Sequence, residues 1–345
     1  MVQENIRFGL VGCGAVAAKH VTVLNRIEAA TIAAVCDTNL DAARSQGNEL
    51  GVPYFSDARE MADAVDFDVF SILTPSGDHA RSVLNLASFG RHFLVEKPLA
   101  LAVDDAAAMI DACESKGVNL LVVNQNRYNR PVLKLKEAVN AGRFGKMVMG
   151  TVRVRWAREQ EYYDSSPWRG TIDQDGGVLA NQAAHHIDML LWLMGDVREV
   201  MAMKTTRLAD IEADDTAVAV LTFADGSLGL IEATTATRPR DLEGSISILG
   251  ERGSVEIGGF FMNEMKAWNF VDAAPGDDEV VAEWGGNPDV PAWNLEQYLR
   301  DMVGCLQQTT AGPIDALAGL RAVRLFEAIE RSVESKSAVH IDGEP

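Results

Sequence analysis

Three groups of residues in this chain have types and spacings that suit chemistry. Glu96-Lys97-Pro98 closes an apolar run at residues 92–95. In open α/β sheets ligands bind beyond the carboxyl ends of the strands, so a lysine there faces a crevice, and Pro98 restricts the backbone around it. A second group lies in the stretch from Gly176-Gly177 to Asp188, where Asn181, His185 and Asp188 fall at i, i+4 and i+7. On one regular helix these share a face, apart from the apolar stripe Leu179, Ala183, Ile187, Leu190 and Met194. Imidazole titrates near neutral pH and suits proton transfer to or from a hydroxyl, whereas the amide of Asn181 positions a group and takes no proton. His186 is read as structural.

The third group is Gly12-Cys13-Gly14-Ala15-Val16-Ala17, between an expected strand and an expected helix. Gly12 permits a tight turn, Gly14 lets a pyrophosphate approach the backbone, and Ala17 is small enough for the helix to pack on the strand. The N–H groups of Gly14, Ala15 and Val16, with the helix dipole, supply a local positive field. Asp37 ends the next strand, 23 residues after Gly14, where a carboxylate accepts from ribose hydroxyls. It repels a 2′-phosphate, and Thr38-Asn39 provide no arginine to bind one, so NAD is favoured over NADP. Taken alone, Asp37 also fits a helix cap.

The elements needed to position these groups are legible in the pattern. Apolar runs at residues 6–11, 31–36, 69–73, 92–95 and 119–123 alternate with helical stretches, which indicates a parallel sheet covered on both faces. Beyond residue 129 the texture changes to long strands at 146–156, 196–206, 216–223, 227–235 and 244–249. Turn signals at Ala224-Asp225-Gly226 and Gly250-Glu251-Arg252-Gly253 predict hairpins. One helix at 178–194 interrupts this sheet, and helices at 293–308 and 315–334 follow it. The expected fold is α/β: an N-terminal Rossmann, doubly wound parallel sheet (residues 1–123), then a C-terminal α+β domain with an open, largely antiparallel sheet (residues 124–345).

Lys+Arg 31 against Asp+Glu 50 leaves a net charge of −19, which argues against nucleic acid and anionic membranes as partners. Cys13, Cys36, Cys113 and Cys305 lie far apart without Cys-x-x-Cys or zinc spacing, so free thiols in a reducing cytosol and no metal site are expected. No apolar run approaches the roughly 18–20 residues that span a bilayer. The apolar stretch at 8–18 resembles a signal peptide, but Glu4 spoils a basic n-region and the glycines have the better explanation above. A cytoplasmic protein is expected.

The glycine motif, Asp37, Thr74-Pro75 with His79, and above all Glu96-Lys97-Pro98 resemble the Gfo/Idh/MocA family of sugar oxidoreductases, over essentially the whole chain. The resemblance implies that Gly12, Gly14, Ala15, Val16, Asp37, Thr74, Pro75, His79, Glu96 and Lys97 surround the cofactor. It also implies that Lys97 sits beside the nicotinamide and the reacting hydroxyl, with a Lys97–Pro98 peptide that is often cis. Family members carry an Asp-x-x-x-His pair whose histidine matches His185, and Asn181 departs from its aspartate. The proton then falls to His185, shared with Lys97. Homodimers or homotetramers built on the open sheet are implied as well.

For the substrate, Arg153 and Arg155 alternate along one strand face, with Arg158, Trp168 and Arg169 following and Arg127 beside the last strand of the first domain. They read either as an ion-paired solvated face or as an anion clamp with aromatic stacking. Arg127, Arg155, Trp168, Arg169, Asn181 and His185 are the candidate substrate contacts. The run from Tyr162-Tyr163-Asp164 through Pro167-Trp168-Arg169-Gly170 to Asn181-Gln182 and His185-His186 resembles members that oxidise nucleotide-linked amino sugars, such as UDP-N-acetylglucosamine(uronate) 3-dehydrogenases. Alternatives are a free polyol or sugar dehydrogenase of the inositol or glucose type, and a non-catalytic NAD-binding regulator.

Overall fold

The computed structural model describes residues 5–285, 292–308 and 315–341. These fall into two compact units. The first holds residues up to Gln125 together with the described residues as far as Leu320 that follow position 291; the second holds Asn126 to residue 285 and Arg321 onward. The helix at 293–306, which the sequence pattern groups with the second domain, is therefore part of the first unit. Tyr298 explains why: its ring is fully buried and its hydroxyl donates to the Val122 carbonyl at 2.8 Å.

In the first unit six parallel strands, β1 (Ile6–Val11), β2 (Ala30–Cys36), β3 (Tyr54–Phe55), β4 (Val69–Ile72), β5 (His92–Glu96) and β6 (Leu120–Val123), lie in the order β3-β2-β1-β4-β5-β6. Phe8, Leu10, Val69, Phe70, Ile72, Phe93, Leu94 and Val95 are all completely or almost completely buried. This is the reason these runs are uninterrupted rather than alternating: both faces of a parallel sheet are covered. The strand order reverses between β1 and β4, and that switch point is where such sheets open a crevice. Helix α1 (Ala15–Leu24) follows β1 directly.

The second unit carries an eight-stranded sheet. Its strands are β7 (Met147–Arg155), β8 (Val197–Thr205), β9 (Thr216–Phe223), β10 (Leu228–Thr234), β11 (Glu243–Gly250), β12 (Gly253–Gly258), β13 (Glu264–Phe270) and β14 (Val339–His340). The order is β13-β12-β11-β7-β10-β9-β8-β14, and every pair is antiparallel except β7–β10. Both expected hairpins form, at β9–β10 and β11–β12. Alternation is clean in β9, where Ala217, Ala219, Leu221 and Phe223 are buried while Val218 and Val220 face outward.

The expected single helix at 178–194 is two pieces. Val178–Gln182 forms a π-turn, in which Ala183 N–H donates to the Val178 carbonyl five residues back, and α2 (Ala184–Met194) follows. Helix α2 lies against β7 and is buried along most of its length, His186 included. The His186 ring meets Trp156 edge-on, 5.6 Å between centroids, and neither ring nitrogen has a hydrogen-bond partner among the described residues. Burial lowers its pKa to about 4. Among the described residues no helix is long and apolar enough to cross a membrane.

A histidine held neutral in the fold protonates first in the unfolded chain, so its burial destabilises the fold as pH falls from its ordinary value of 6.5 toward 4. Denaturant titration at pH 7 and pH 5 is expected to show a stability loss that is smaller in His186→Leu than in the wild type by about 2 kcal/mol. Equal losses in both proteins would show that His186 is charged in the fold.

Candidate active site

The glycine turn is built as a dinucleotide cradle. Gly12 holds φ +105°, and a Cβ there would lie 2.7 Å from the Leu73 carbonyl oxygen at the end of β4. A side chain is excluded at the switch point on two grounds, strain and collision. A Cβ on Gly14 would meet nothing within 4 Å, so the backbone there is open to approach. Helix α1 begins at that residue with no side-chain cap and no acidic residue in its first turn. Its leading N–H groups and dipole are thus available to an anion despite the net charge of the chain. Asp37 ties this turn to β2: Oδ2 accepts from Cys13 N–H and Oδ1 from Asn39 N–H, each at 2.8 Å. A carboxylate has about four acceptor sites, which leaves capacity for ribose hydroxyls. These features fit a bound dinucleotide, which Gly12, Gly14, Ala15, Val16 and Asp37 would hold.

Glu96-Lys97-Pro98 leaves the carboxyl end of β5, and the Lys97–Pro98 peptide is cis. Two buried histidines border the turn. His79 is 1% exposed, with Nδ1 2.8 Å from the Pro98 carbonyl oxygen and Nε2 3.0 Å from that of Thr74. His20, on α1, is fully buried with Nε2 2.8 Å from Glu96 Oε1, while Glu96 Oε2 accepts from Lys97 N–H at 3.1 Å. His79 and Glu96, read from the resemblance as cofactor contacts, therefore spend these atoms on shaping the turn. Burial lowers the His79 pKa. In the sequence alone, a histidine six residues after Gly14 carries no signal; the role of His20 is visible only once β5 is placed beside it.

In the second unit Asn181 stands in the π-turn and His185 in the first turn of α2, both half-buried. The regular period on which a shared Asn181–His185–Asp188 face depends starts only at Ala184. Asn181 donates through Nδ2 to Asp175 Oδ2 at 2.8 Å, and the same oxygen accepts from Gly170 N–H at 3.0 Å. Because a carboxylate only accepts, this bond fixes the flip of the amide. Asp188 is 2% exposed and pairs with Arg127, Nε to Oδ2 at 2.7 Å and Nη2 to Oδ1 at 2.5 Å.

The candidate substrate arginines separate into two groups. Arg127 is held by Asp188 and lies 5.1 Å over the Trp192 ring. Arg155 makes a two-pronged pair with Glu232, at 2.6 and 2.7 Å, and reaches Glu243 at 3.0 Å, which Arg153 also engages. Both guanidinium groups are spent within the fold, so the strand-face pattern is the ion-paired one. Arg169 and Trp168 belong to a different cluster. The Arg169 guanidinium stacks 4.2 Å from the Tyr162 ring centroid and 4.7 Å from that of Trp168, and it donates to the Tyr162 hydroxyl. Gln182 Nε2 donates to the same hydroxyl at 2.8 Å, and Arg158 Nε donates to Gln182 Oε1 at 3.2 Å. Two cations and the Tyr162 hydroxyl thus adjoin Asn181 through its neighbour Gln182. The sequence pattern gives Gln182 no individual role, although it lies within the Asn181–His185 stretch. Among the described residues no group of three or more His, Cys, Asp or Glu side chains suits a metal ion.

With this geometry in view, the comparisons with known proteins decide the family. Residues 6–124 match the model of the oxidoreductase family with NAD-binding Rossmann fold, and residues 132–256 match the GFO/IDH/MocA C-terminal domain. The WlbA dehydrogenase from Bordetella pertussis, solved with NADH and UDP-GlcNAcA, is 37% identical with both chains fully covered and a TM-score of 0.95.

The chain belongs to the Gfo/Idh/MocA oxidoreductase family.

WlbA from Chromobacterium violaceum, also solved with NADH and UDP-GlcNAcA, is 34% identical over 100% of this chain and 98% of that one, with a TM-score of 0.93. A myo-inositol 2-dehydrogenase of Thermotoga maritima is 28% identical over 98% of this chain and 99% of its own length. The expected family, Rossmann fold and NAD-binding character stand as read from the sequence.

Removing one member of a buried ion pair leaves the other uncompensated. Arg127→Ala is therefore expected to lower unfolding free energy by about 3–5 kcal/mol, and Arg127→Met with Asp188→Leu to recover most of the loss. Denaturant titration checks this. An Arg127→Ala protein of wild-type stability, with loss of substrate affinity alone, would instead restore Arg127 as a substrate contact.

Proposed function

We propose that this family member oxidises a secondary hydroxyl of a nucleotide-linked, N-acetylated acidic sugar, at C3, using NAD⁺. The observation that carries this reading is the full-length similarity to two WlbA dehydrogenases solved with NADH and UDP-GlcNAcA. The Arg158–Gln182–Tyr162–Arg169–Trp168 cluster supports it, since it offers cations for an anionic substrate and aromatic faces for a sugar or base.

Bound NAD⁺ supplies the hydride acceptor. The remaining work falls to side chains. Lys97, as an ammonium, donates to the alcohol oxygen and stabilises alkoxide character as it develops. His185 accepts the hydroxyl proton, and Asn181 orients the substrate with an amide whose flip Asp175 sets. Lys97 and His185 act on the same substrate hydroxyl in this proposal. The protein is a cytoplasmic enzyme in this reading.

We also propose that the outer face of the second sheet seats another copy of the chain. Met201 and Met203 on β8 lie beside Val220 and Val218 on β9, with Leu228 and Leu249 on the same sheet. Their exposures are 53%, 77%, 52%, 42%, 49% and 40%. An apolar surface of this kind marks an interaction site.

A panel of UDP-sugars and free polyols assayed for NADH formation, with NADP⁺ as control, tests the reading. Turnover is expected with UDP-N-acetylglucosaminuronate and NAD⁺. Reaction of free polyols only would replace it with an inositol- or glucose-type dehydrogenase, and NADH binding without any turnover would favour the regulator. Lys97→Ala and His185→Asn are each expected to lower kcat by more than about tenfold with NADH affinity near wild type. Light scattering after size exclusion is expected to give a mass at or above twice 37.4 kDa, reduced by Met203→Lys with Val220→Lys. A monomeric wild type would refute the interface.

A further inference from the structure

His20 has no duty in the reaction proposed above, yet its setting is specific. It is completely buried on α1, and its Nδ1 has no hydrogen-bond partner among the described residues. A buried polar atom left unsatisfied in this way asks for an explanation. The other nitrogen supplies one. Nε2 lies 2.8 Å from Glu96 Oε1. Glu96 is the last residue of β5, and its second oxygen accepts the N–H of Lys97 at 3.1 Å. One carboxylate thus joins the imidazole to the backbone at the residue where the chain leaves the strand. An ionised carboxylate only accepts, so Nε2 carries the proton and donates it.

We propose that His20 is a positioning residue for Lys97, acting through Glu96; this rests on the reading of Lys97 as the group that binds the reacting oxygen. Glu96 and Lys97 are adjacent, and a carboxylate free to turn about its own side chain holds the Lys97 N–H only in the rotamer that brings Oε2 to it. Donation from His20 removes that freedom. Helix α1 therefore has two tasks: its first turn presents N–H groups to the dinucleotide, and His20, in its second turn, anchors the lysine turn. His79 holds the far side through the Pro98 carbonyl. The lysine is set between two fixed points and not by its own side-chain contacts alone.

The test compares His20→Ala, His20→Gln and Lys97→Ala in the full-length protein, on the best substrate of the panel above. Glutamine is chosen because its amide N–H reaches the place of Nε2. His20→Ala is expected to lower kcat by about tenfold or more, with sugar KM and NADH affinity changed less than about threefold. His20→Gln is expected to recover kcat to within about threefold of wild type. Glu96→Gln added to His20→Ala is expected to cost little more than His20→Ala alone, because one path is broken twice. Thermal unfolding and circular dichroism accompany each variant, so that a fold defect common to both His20 variants is seen as such.

Full kcat in His20→Ala, with Lys97→Ala inactive, would overturn the positioning role and leave the proposed reaction standing. The positioning role falls equally if His20→Gln is no better than His20→Ala at matched thermal stability. Wild-type kcat in Lys97→Ala would overturn both, since the lysine would then have no task to be positioned for.

Discussion

The turn Glu96-Lys97-Pro98 is the constraint on which the rest of the first unit depends. A flexible four-carbon side chain holds an ammonium in one place only if its backbone is fixed. Here the backbone is fixed on both sides by buried imidazoles, His20 from α1 through the Glu96 carboxylate and His79 at the Pro98 carbonyl. Each histidine comes from a helix that follows a strand of the parallel sheet, and one of those strands, β1, also delivers the glycine turn. The order β3-β2-β1-β4-β5-β6 is what brings the ends of β1, β4 and β5 side by side. Cofactor cradle and lysine turn are two products of one topology.

Charge is handled locally. A chain with net charge −19 has no general attraction for phosphates. The N-terminus of α1, free of caps and acids, supplies the attraction through oriented N–H groups, which cost no formal charge. In the second unit Arg127, Arg153 and Arg155 are neutralised inside the fold by Asp188, Glu232 and Glu243. Arg158 and Arg169 differ: their guanidinium groups rest on aromatic rings and share a network with Gln182 and Tyr162, although Arg158 also reaches Asp241 at 3.3 Å. Stacking leaves more of a guanidinium's charge uncompensated than a two-pronged pair with a carboxylate does, which suits recognition of an anion.

Local pattern carried the parts of the fold that local physics decides. Uninterrupted Val/Ile/Leu runs announced the parallel sheet, and Asp-Gly and Glu-Arg turns announced the hairpins. The glycine turn with Asp37 was legible because its chemistry needs glycines and an acid at a set spacing. The ion pairs were not, since the partners of Arg127 and Arg155 lie 61, 77 and 88 positions away and no periodicity points to them. The π-turn escaped for a related reason. Gly176-Gly177 enters it over Asp214, whose side chain and carbonyl both accept from Val178 N–H, and that carboxylate comes from beyond β8. The two-residue strands β3 and β14 are too short to carry alternation at all. Assignment of residues 293–306 to the first unit rests on the single Tyr298 hydroxyl and similar long-range contacts.

In a crystal structure of the ternary complex with NADH and UDP-N-acetylglucosaminuronate, Lys97 Nζ and a ring nitrogen of His185 are both expected within about 3.2 Å of one carbinol oxygen, the reach of a hydrogen bond for proton transfer. A sugar bound with neither group, or only one of them, near the carbon that faces the nicotinamide would contradict that placement.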